Sequence, residues 1–131
     1  MSKAVTLTIQ REPPPSLNTY LRMHWADRQI LHKTWRDEVA AAAINAGRPH
    51  LERAQVRIVL CYPQRRRPDP DNMAVAPKLI LDGLRAAGVI PDDNIDHVVA
   101  VTIEAKQGDV PHVEIELRPA RRRKTATSTF A

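Results

Sequence analysis

The sequence predicts a single α+β domain, in which helices pack against a mixed β-sheet. Three observations lead to this prediction. The chain has 131 residues, the size of one domain. Four segments alternate apolar and polar residues, as strands do, and two segments repeat apolar residues at spacings of three and four, as helices do. The expected element order is therefore β-α-β-α-β-β.

The N-terminal part is expected to form a strand, a loop and a helix. Apolar residues alternate with threonines over Val5–Ile9, and three prolines follow that cannot donate to a sheet ladder. Residues 16–24 show no clear period, so an ordered loop is expected there. From residue 27 to residue 46 the apolar side chains fall on one helix face, and Gly47 marks the end of the helix.

The second half of the chain is expected to contribute a strand, a helix and a hairpin. Residues 56–62 are apolar on one face and, beyond Arg57, mostly apolar on the other, which indicates a central strand covered on both sides. A helix that began near Asn72 would hold Pro77 in its interior, where it would cause a kink, so a start near residue 75 or 76 is preferred. Gly88 is expected at the C′ position that ends this helix. Segments 99–104 and 113–117, joined by a short turn, then predict an antiparallel hairpin.

Charge and cysteine content narrow the function. The net charge of +5 and the pI near 9.9 favour a polyanionic partner. The single cysteine, Cys61, lies in an apolar run and predicts neither a disulfide nor a zinc site, but a small buried hydrophobe. The sequence shows no signal peptide and no apolar run long enough for a bilayer, so a cytoplasmic location without a membrane partner is expected.

The stretch that follows the central strand combines basic and acidic residues. Three arginines, Arg65 to Arg67, lead directly into Asp69 and Asp71. A proline after each of Arg67 and Asp69 disfavours helix, so the two carboxylates should project to the same side of an extended chain. Such neighbours repel each other unless a cation lies between them, and oxygen ligands suit magnesium or manganese. An Asp-rich turn before a helix is the alternative.

A second acidic pair, Asp92 and Asp93, follows the next helix. A strand-loop-helix-loop unit can bring its two ends close, so one of these residues is expected to supply a third carboxylate. Lys78, four residues before Asp82, is expected to reach towards this acidic site and offset charge on a phosphate. A surface ion pair between Lys78 and Asp82 is the alternative.

Polar residues of the 16–24 loop and one face of the first helix are candidates for contacts with a nucleic-acid backbone. An ordinary surface loop and a solvated helix face are the alternatives. Together with the arginine run, the predicted DNA contacts are Asn18, Tyr20, Arg22, Lys33, Arg36, Arg65, Arg66 and Arg67.

The run RRRPDPDNMAVAPKLILDGLRAAGVIPDDN resembles the core of the RusA-type Holliday junction resolvases, and PPPSLNTY resembles their Pro-Pro-Ser-Asn segment. The resemblance extends to about Leu117. It implies a homodimeric, magnesium-dependent endonuclease that nicks four-way DNA junctions symmetrically, with manganese expected to substitute. It also implies that Asp69, Asp71 and Asp93 are the catalytic acids, with Asp92 a close alternative ligand, and that Lys78 is the essential lysine.

One departure from the family pattern concerns that lysine, because its separation from Asp71 is about one helical turn longer than usual. Two other functions stay open: a nuclease that acts on flaps, other branched DNA or RNA, and a junction-binding module without catalytic activity. The nuclease domain is expected to span residues 1–118, and residues 119–131 are expected to form a flexible basic tail.

Overall fold

The computed structural model describes residues 4–63 and 73–121. These residues form a small α+β domain with a mixed four-stranded sheet, as predicted, and with three helices where two were expected. The elements are β1 (Val5–Ile9), α1 (Leu17–Arg22), α2 (Trp25–Asn45), β2 (Ala54–Tyr62), α3 (Val75–Ala86), β3 (Val98–Gln107) and β4 (His112–Pro119). Across these ranges, no helix combines the length and the apolar character that crossing a bilayer requires.

The sheet has the strand order β1-β4-β2-β3. The central strand β2 runs parallel to β3 and antiparallel to β4, and β4 also pairs antiparallel with β1. The predicted hairpin between the last two strands is therefore wrong, because β2 lies between them. The link from Gln107 to His112 is short, but it can cross one intervening strand, since neighbouring strands lie only about 4.8 Å apart.

The core lies between the helices and one face of the sheet. Its alternating strand positions include Leu7, Ile58 and Ile115, and its helix positions include Val39 and Ile80, all nearly inaccessible to solvent. Burying each such side chain stabilises the fold by roughly 1.5–3 kcal/mol. The helix stripes predicted from the sequence thus form the interior of the domain.

The prediction that β2 is covered on both faces is correct for its second half but wrong for its first half. Gln55 and Arg57, near the start of β2, are exposed, whereas Val59 and Cys61, near its end, are buried. In the strand register Val59 stands between Glu104 and Glu114, and Cys61 stands between Lys106 and His112. Long neighbouring side chains therefore flank this part of β2, and their aliphatic stems can cover it.

The segment predicted as a loop contains a helix. Helix α1 has six residues, none of them buried, so it has no apolar period to detect. Its sequence signal is a cap: the Ser16 hydroxyl accepts a hydrogen bond from the Thr19 N–H at 3.2 Å. Helix α2 begins two residues before its predicted start, where His24 Nδ1 accepts a hydrogen bond from the Ala26 N–H.

Both long helices end at the predicted glycines. Gly47 and Gly88 have positive φ angles of 87° and 76°, which suit glycine at the C′ position of a helix. After α3, the Gly88 N–H donates to the Arg85 carbonyl at 3.1 Å, and the Val89 N–H donates to the Leu84 carbonyl at 2.9 Å. Helix α3 starts at Val75 and Pro77 falls in its first turn, as preferred from the sequence.

Candidate functional site

Lys78 lies near the start of α3, beside a cavity of about 190 Å³. The ion pair considered between Lys78 and Asp82 does not form, because Asp82 Oδ1 is 3.5 Å from Arg85 Nη2 instead. Among the described residues, Lys78 is exposed and has no ion-pair partner. None of the described carboxylates thus neutralises its positive charge. The other residues that line the cavity are Leu17, Tyr20, His32, Ala74, Val75 and Leu79.

Tyr20 and His32, which also line this cavity, attach α1 to α2. The Tyr20 Oη is hydrogen-bonded to His32 Nε2 at 2.8 Å. The Arg28 guanidinium lies 5.0 Å from the centre of the Tyr20 ring and donates to the carbonyls of Tyr20 and Leu21. Arg28 and His32 lie on the same basic stretch of α2 as Lys33, and their contacts with Tyr20 and Leu21 position α1 beside Lys78.

The remaining predicted DNA contacts on α1 and α2 are all exposed, but one of them is already paired with a carboxylate. Asn18 and Arg22 are exposed on α1, and Arg36 is exposed on α2. Lys33 is also exposed, but its ammonium group lies 3.0 Å from the Asp37 carboxylate. Such a surface pair is worth only about 0.3–0.5 kcal/mol, so a phosphate can compete for the lysine.

The second acidic pair lies in a turn after α3 that is built by its own side chains. Asp92 Oδ1 accepts a hydrogen bond from the Asp93 N–H at 2.7 Å, and Asp92 Oδ2 accepts one from Asn94 Nδ2 at 3.4 Å. The backbone hydrogen bond from Asp93 lowers the pKa of the Asp92 carboxyl below its usual value. The Asp93 side chain is exposed and accepts no hydrogen bond from the described residues.

This turn lies at the start of β2, not at its end. The Ala54 N–H donates to the His97 carbonyl, and the Leu51 N–H donates to the Val89 carbonyl, both at 2.8 Å. Since β3 runs parallel to β2, the connection through α3 must return to the edge at which β2 began. Among the described residues, the end of β2 and the acidic turn therefore lie at opposite edges of the sheet. That the first acidic pair comes close to this turn stays a prediction.

The two described parts of the predicted site are consequently well separated. Lys78 is near the N-terminal end of α3, which faces the end of β2, whereas Asp92 and Asp93 follow its C-terminal end. The helix between Lys78 and Ala86 alone is about 12 Å long. A lysine side chain on a helix also leans towards the N-terminus, away from the acidic turn.

The first acidic pair and the arginine run lie outside the described residues. Arg65, Arg66, Arg67, Asp69 and Asp71 all belong to the stretch 64–72. Their part in the site stays a prediction. Within residues 4–63 and 73–121, no three histidine, cysteine, aspartate or glutamate side chains converge on a possible metal position. The carboxylates of Asp92 and Asp93 are nonetheless the hard oxygen donors that magnesium prefers.

The uncovered face of the sheet is a poor candidate for binding DNA. It holds a cavity of about 390 Å³, lined in part by Arg57, Glu116 and Arg118. Both guanidinium groups are already paired: Arg57 Nε lies 2.6 Å from Glu104, and Arg118 Nε lies 3.0 Å from Glu116. A phosphate would have to displace a carboxylate here, which favours α1 and the start of α2 and α3 as the nucleic-acid surface.

Comparison with known proteins adds evidence from most of the chain. No curated protein matches the sequence. Residues 12–118 match the family model described as Endodeoxyribonuclease RusA, and this range contains both acidic pairs, Lys78 and all the predicted DNA contacts. The match extends over much more than half of the 131 residues, so the chain belongs to the RusA family of endodeoxyribonucleases.

Proposed function

We propose that this protein is a magnesium-dependent endodeoxyribonuclease that resolves Holliday junctions by paired symmetrical nicks, in DNA recombination and repair. Membership of the RusA family implies a Holliday junction-resolving endonuclease. The family match over residues 12–118 is the observation that carries the proposal. The requirement for magnesium, with manganese as a substitute, follows from the all-oxygen character of the proposed ligands.

The proposed ligands are the carboxylates of Asp69, Asp71 and Asp93. Magnesium bound there would activate a water and stabilise the departing oxygen of a phosphodiester. Asp93 is the better ligand of the second pair, because both Asp92 oxygens already accept hydrogen bonds from the turn. Asp92 would then position Asp93 by fixing the backbone that carries it. Lys78 would offset the negative charge that develops on the phosphate.

DNA would be held along the surface formed by α1 and the first half of α2. Asn18, Arg22 and Arg36 are exposed there, and Tyr20 would act mainly by holding α1 in place. Arg65 to Arg67 and Lys33 would add contacts with the backbone. The proposed action on DNA agrees with the expected cytoplasmic location. The basic residues at the C-terminus would add affinity that does not depend on DNA sequence.

A homodimer is supported by the distance between the described parts of the site. Lys78 and Asp93 flank opposite ends of α3, so one chain cannot direct both side chains to the same phosphate. A second copy can supply the missing group. Two copies would also provide two cleavage sites, which symmetrical nicking of a four-way junction requires.

The proposal is tested by nicking of a synthetic four-way junction in the presence of magnesium. We expect Asp71→Asn to reduce the rate at least about 100-fold, because a ligand of the metal is lost. Asp109→Asn is the matched control: it removes the same charge from an exposed position in the link between β3 and β4. Full activity of Asp71→Asn would refute the assignment.

Substrate comparisons separate the remaining alternatives. Cleavage of flaps or RNA at rates equal to those of junctions would indicate a nuclease with a broader substrate range. Junction binding in a gel-shift assay, without cleavage in magnesium or manganese, would indicate a binding module.

A further inference from the structure

Trp25, the first residue of α2, carries an aromatic ring that the fold leaves in solvent. It is 68% exposed and lies outside the core. The other aromatic side chains of the described residues are placed differently: Trp35 is buried, Tyr62 is half-buried, and the half-buried Tyr20 ring lies under the Arg28 guanidinium. Trp25 is therefore the one exposed ring among the tryptophans and tyrosines that the structure describes, and the fold uses little of its apolar surface.

The corner between α1 and α2 fixes the position of this ring. Arg28, one turn further along α2, donates to the carbonyls of Tyr20 and Leu21 at 3.1 and 2.8 Å, which closes the end of α1 onto α2. His24 is the N-cap of α2, and its ring centre lies 5.6 Å from that of Trp25 at an interplanar angle of 35°. A ring held at a capped helix start loses little conformational freedom when a flat ligand stacks on it.

Trp25 shares a face of α2 with residues of the candidate site. Trp25, His32 and Arg36 follow each other at spacings of seven and four residues, which places them on one side of a helix. His32 lines the cavity beside Lys78, and Arg36 is exposed. The rise from Trp25 to His32 is about 10 Å, which equals about three nucleotides of a DNA strand.

The charges around this ring suit a nucleic acid. Arg22 is exposed in the last turn of α1, and Arg36 is exposed on the shared face of α2. Asp27, the acidic residue nearest to Trp25 in sequence, lies about 160° away around the helix axis. An aromatic ring between basic side chains is the arrangement that binds single-stranded nucleic acid, because bases stack on the ring and phosphates pair with the cations.

We propose that Trp25 stacks on a nucleobase that has lost its pairing partner at the branch point of the DNA. His24 supports the indole, and Arg22 contacts a neighbouring phosphate. In a linear duplex both faces of each base are covered by its neighbours, so only an unpaired base can use the ring. Trp25 is thus a residue that selects branched over linear DNA, about three nucleotides from the cavity beside Lys78. This inference rests on the proposed nuclease function for its substrate.

Binding of the full-length chain without divalent metal tests the proposal, because no nicking then occurs. The two DNAs are a four-way junction with two unpaired nucleotides at the branch point and a linear duplex of the same sequence. We expect Trp25→Leu to raise the Kd for the junction at least about fivefold, since a stacked base is lost, and to change the Kd for the duplex less than about twofold. Trp25→Phe keeps an aromatic face and should recover most of the loss.

Ile30→Ala is the matched control. Ile30 is also an exposed apolar residue of α2, at 63%, but it lies about 140° around the helix axis from Trp25. This variant should bind both DNAs like the unmodified chain. Circular dichroism of all variants should match the unmodified chain, because neither Trp25 nor Ile30 belongs to the core.

Tryptophan fluorescence measures the stacking itself. The chain has two tryptophans, and Trp35 is only 2% exposed. The junction should quench the emission of the unmodified chain, because a base stacks on Trp25. It should leave the emission of Trp25→Phe unchanged, because the remaining tryptophan is buried in the core.

Three results would overturn the stacking: equal junction affinities of Trp25→Leu and Ile30→Ala, equal affinities of Trp25→Leu and Trp25→Phe, or quenching that persists in Trp25→Phe. The second of these would show that the side chain acts only as apolar surface. If the unmodified chain nicks junctions in magnesium while the variants bind alike, the stacking alone fails. If quenching depends on Trp25 but the unmodified chain does not nick, the proposed function fails and the stacking stands.

Discussion

The surface around Lys78 and the acidic turn around Asp93 are held in place in different ways. Around Lys78, contacts join residues distant in sequence, such as the hydrogen bond between Tyr20 and His32 and the cavity shared by α1, α2 and α3. In the acidic turn, Asp92 and Asn94 bind the backbone within two residues of themselves. The first region therefore depends on the packing of three helices, whereas the second is a local structure that can be presented to another molecule.

The largest effect is expected from removing the lysine of the first region. Lys78→Ala should reduce the nicking rate about 100-fold, since a positive group near the reacting phosphate is lost. It should leave the melting temperature unchanged, because Lys78 is exposed and unpaired among the described residues. Lys33→Ala is the control, because it removes an equal charge from α2 and should alter the rate less than about threefold. Equal losses in both variants would reduce Lys78 to a general electrostatic role.

A smaller effect is expected at Gly83, which lies on the helix that separates the two regions. A Cβ atom at this position would be 2.8 Å from Val39 Cβ, and Val39 is a stiff, fully buried residue of α2. Overpacking costs about 1–3 kcal/mol, and Ala gains about 1 kcal/mol of helix propensity over Gly, so Gly83→Ala should lower the free energy of unfolding by up to about 2 kcal/mol. Urea denaturation at neutral pH measures the difference.

Val39→Ala provides the matched test of that contact. Combined with Gly83→Ala, it should show a favourable coupling of about 0.5–2 kcal/mol, because the smaller side chain leaves room for the new methyl group. If the changes in unfolding free energy of the two single variants simply add in the double variant, the close approach of α2 and α3 does not cause the destabilisation by Gly83→Ala.

The smallest effect is expected from removing the charge of Asp92 in the acidic turn, and it concerns how stability depends on pH. The pKa of Asp92 is lowered from its ordinary value of 3.8. Its ionised form thus stabilises the folded chain above that value, and this contribution disappears as the pH falls through the lower folded-state pKa. Asp92→Asn should consequently flatten the acid side of the stability profile slightly, whereas Asp109→Asn should follow the unmodified chain. Urea denaturation between about pH 6 and about pH 2 measures both.

The sequence was most informative where one physical signal dominated. Alternation predicted β1 with its observed bounds, and the glycines 47 and 88 predicted both helix ends. The preference for a helix start that places Pro77 in the first turn was also confirmed. Helix α1 was missed because a six-residue exposed helix has no apolar stripe, although its Ser16 cap is readable.

Which strands pair with each other could be learned only from the tertiary structure. Two adjacent strands with a short link usually pair with each other, but here β2 takes both as neighbours, because its two sides offer hydrogen-bonding groups and its apolar residues need cover. The same arrangement places Asp93 at the start of β2. A list of acidic residues in sequence order cannot reveal this separation, since it depends on the direction of a strand encountered only later in the chain.

The sequence by itself determined the fold class and the ends of the two long helices, because periodicity and caps are local properties. It also predicted the acidic and basic residues of the candidate site from local charge clusters. Its length and the motif also led to the RusA family, which the match over residues 12–118 confirmed. Only the tertiary structure decided that the acidic turn lies at the start of β2 and that β3, within residues 4–63 and 73–121, pairs with β2 alone. Both follow from the parallel pairing of β2 with β3, a long-range contact whose register and direction no local pattern encodes.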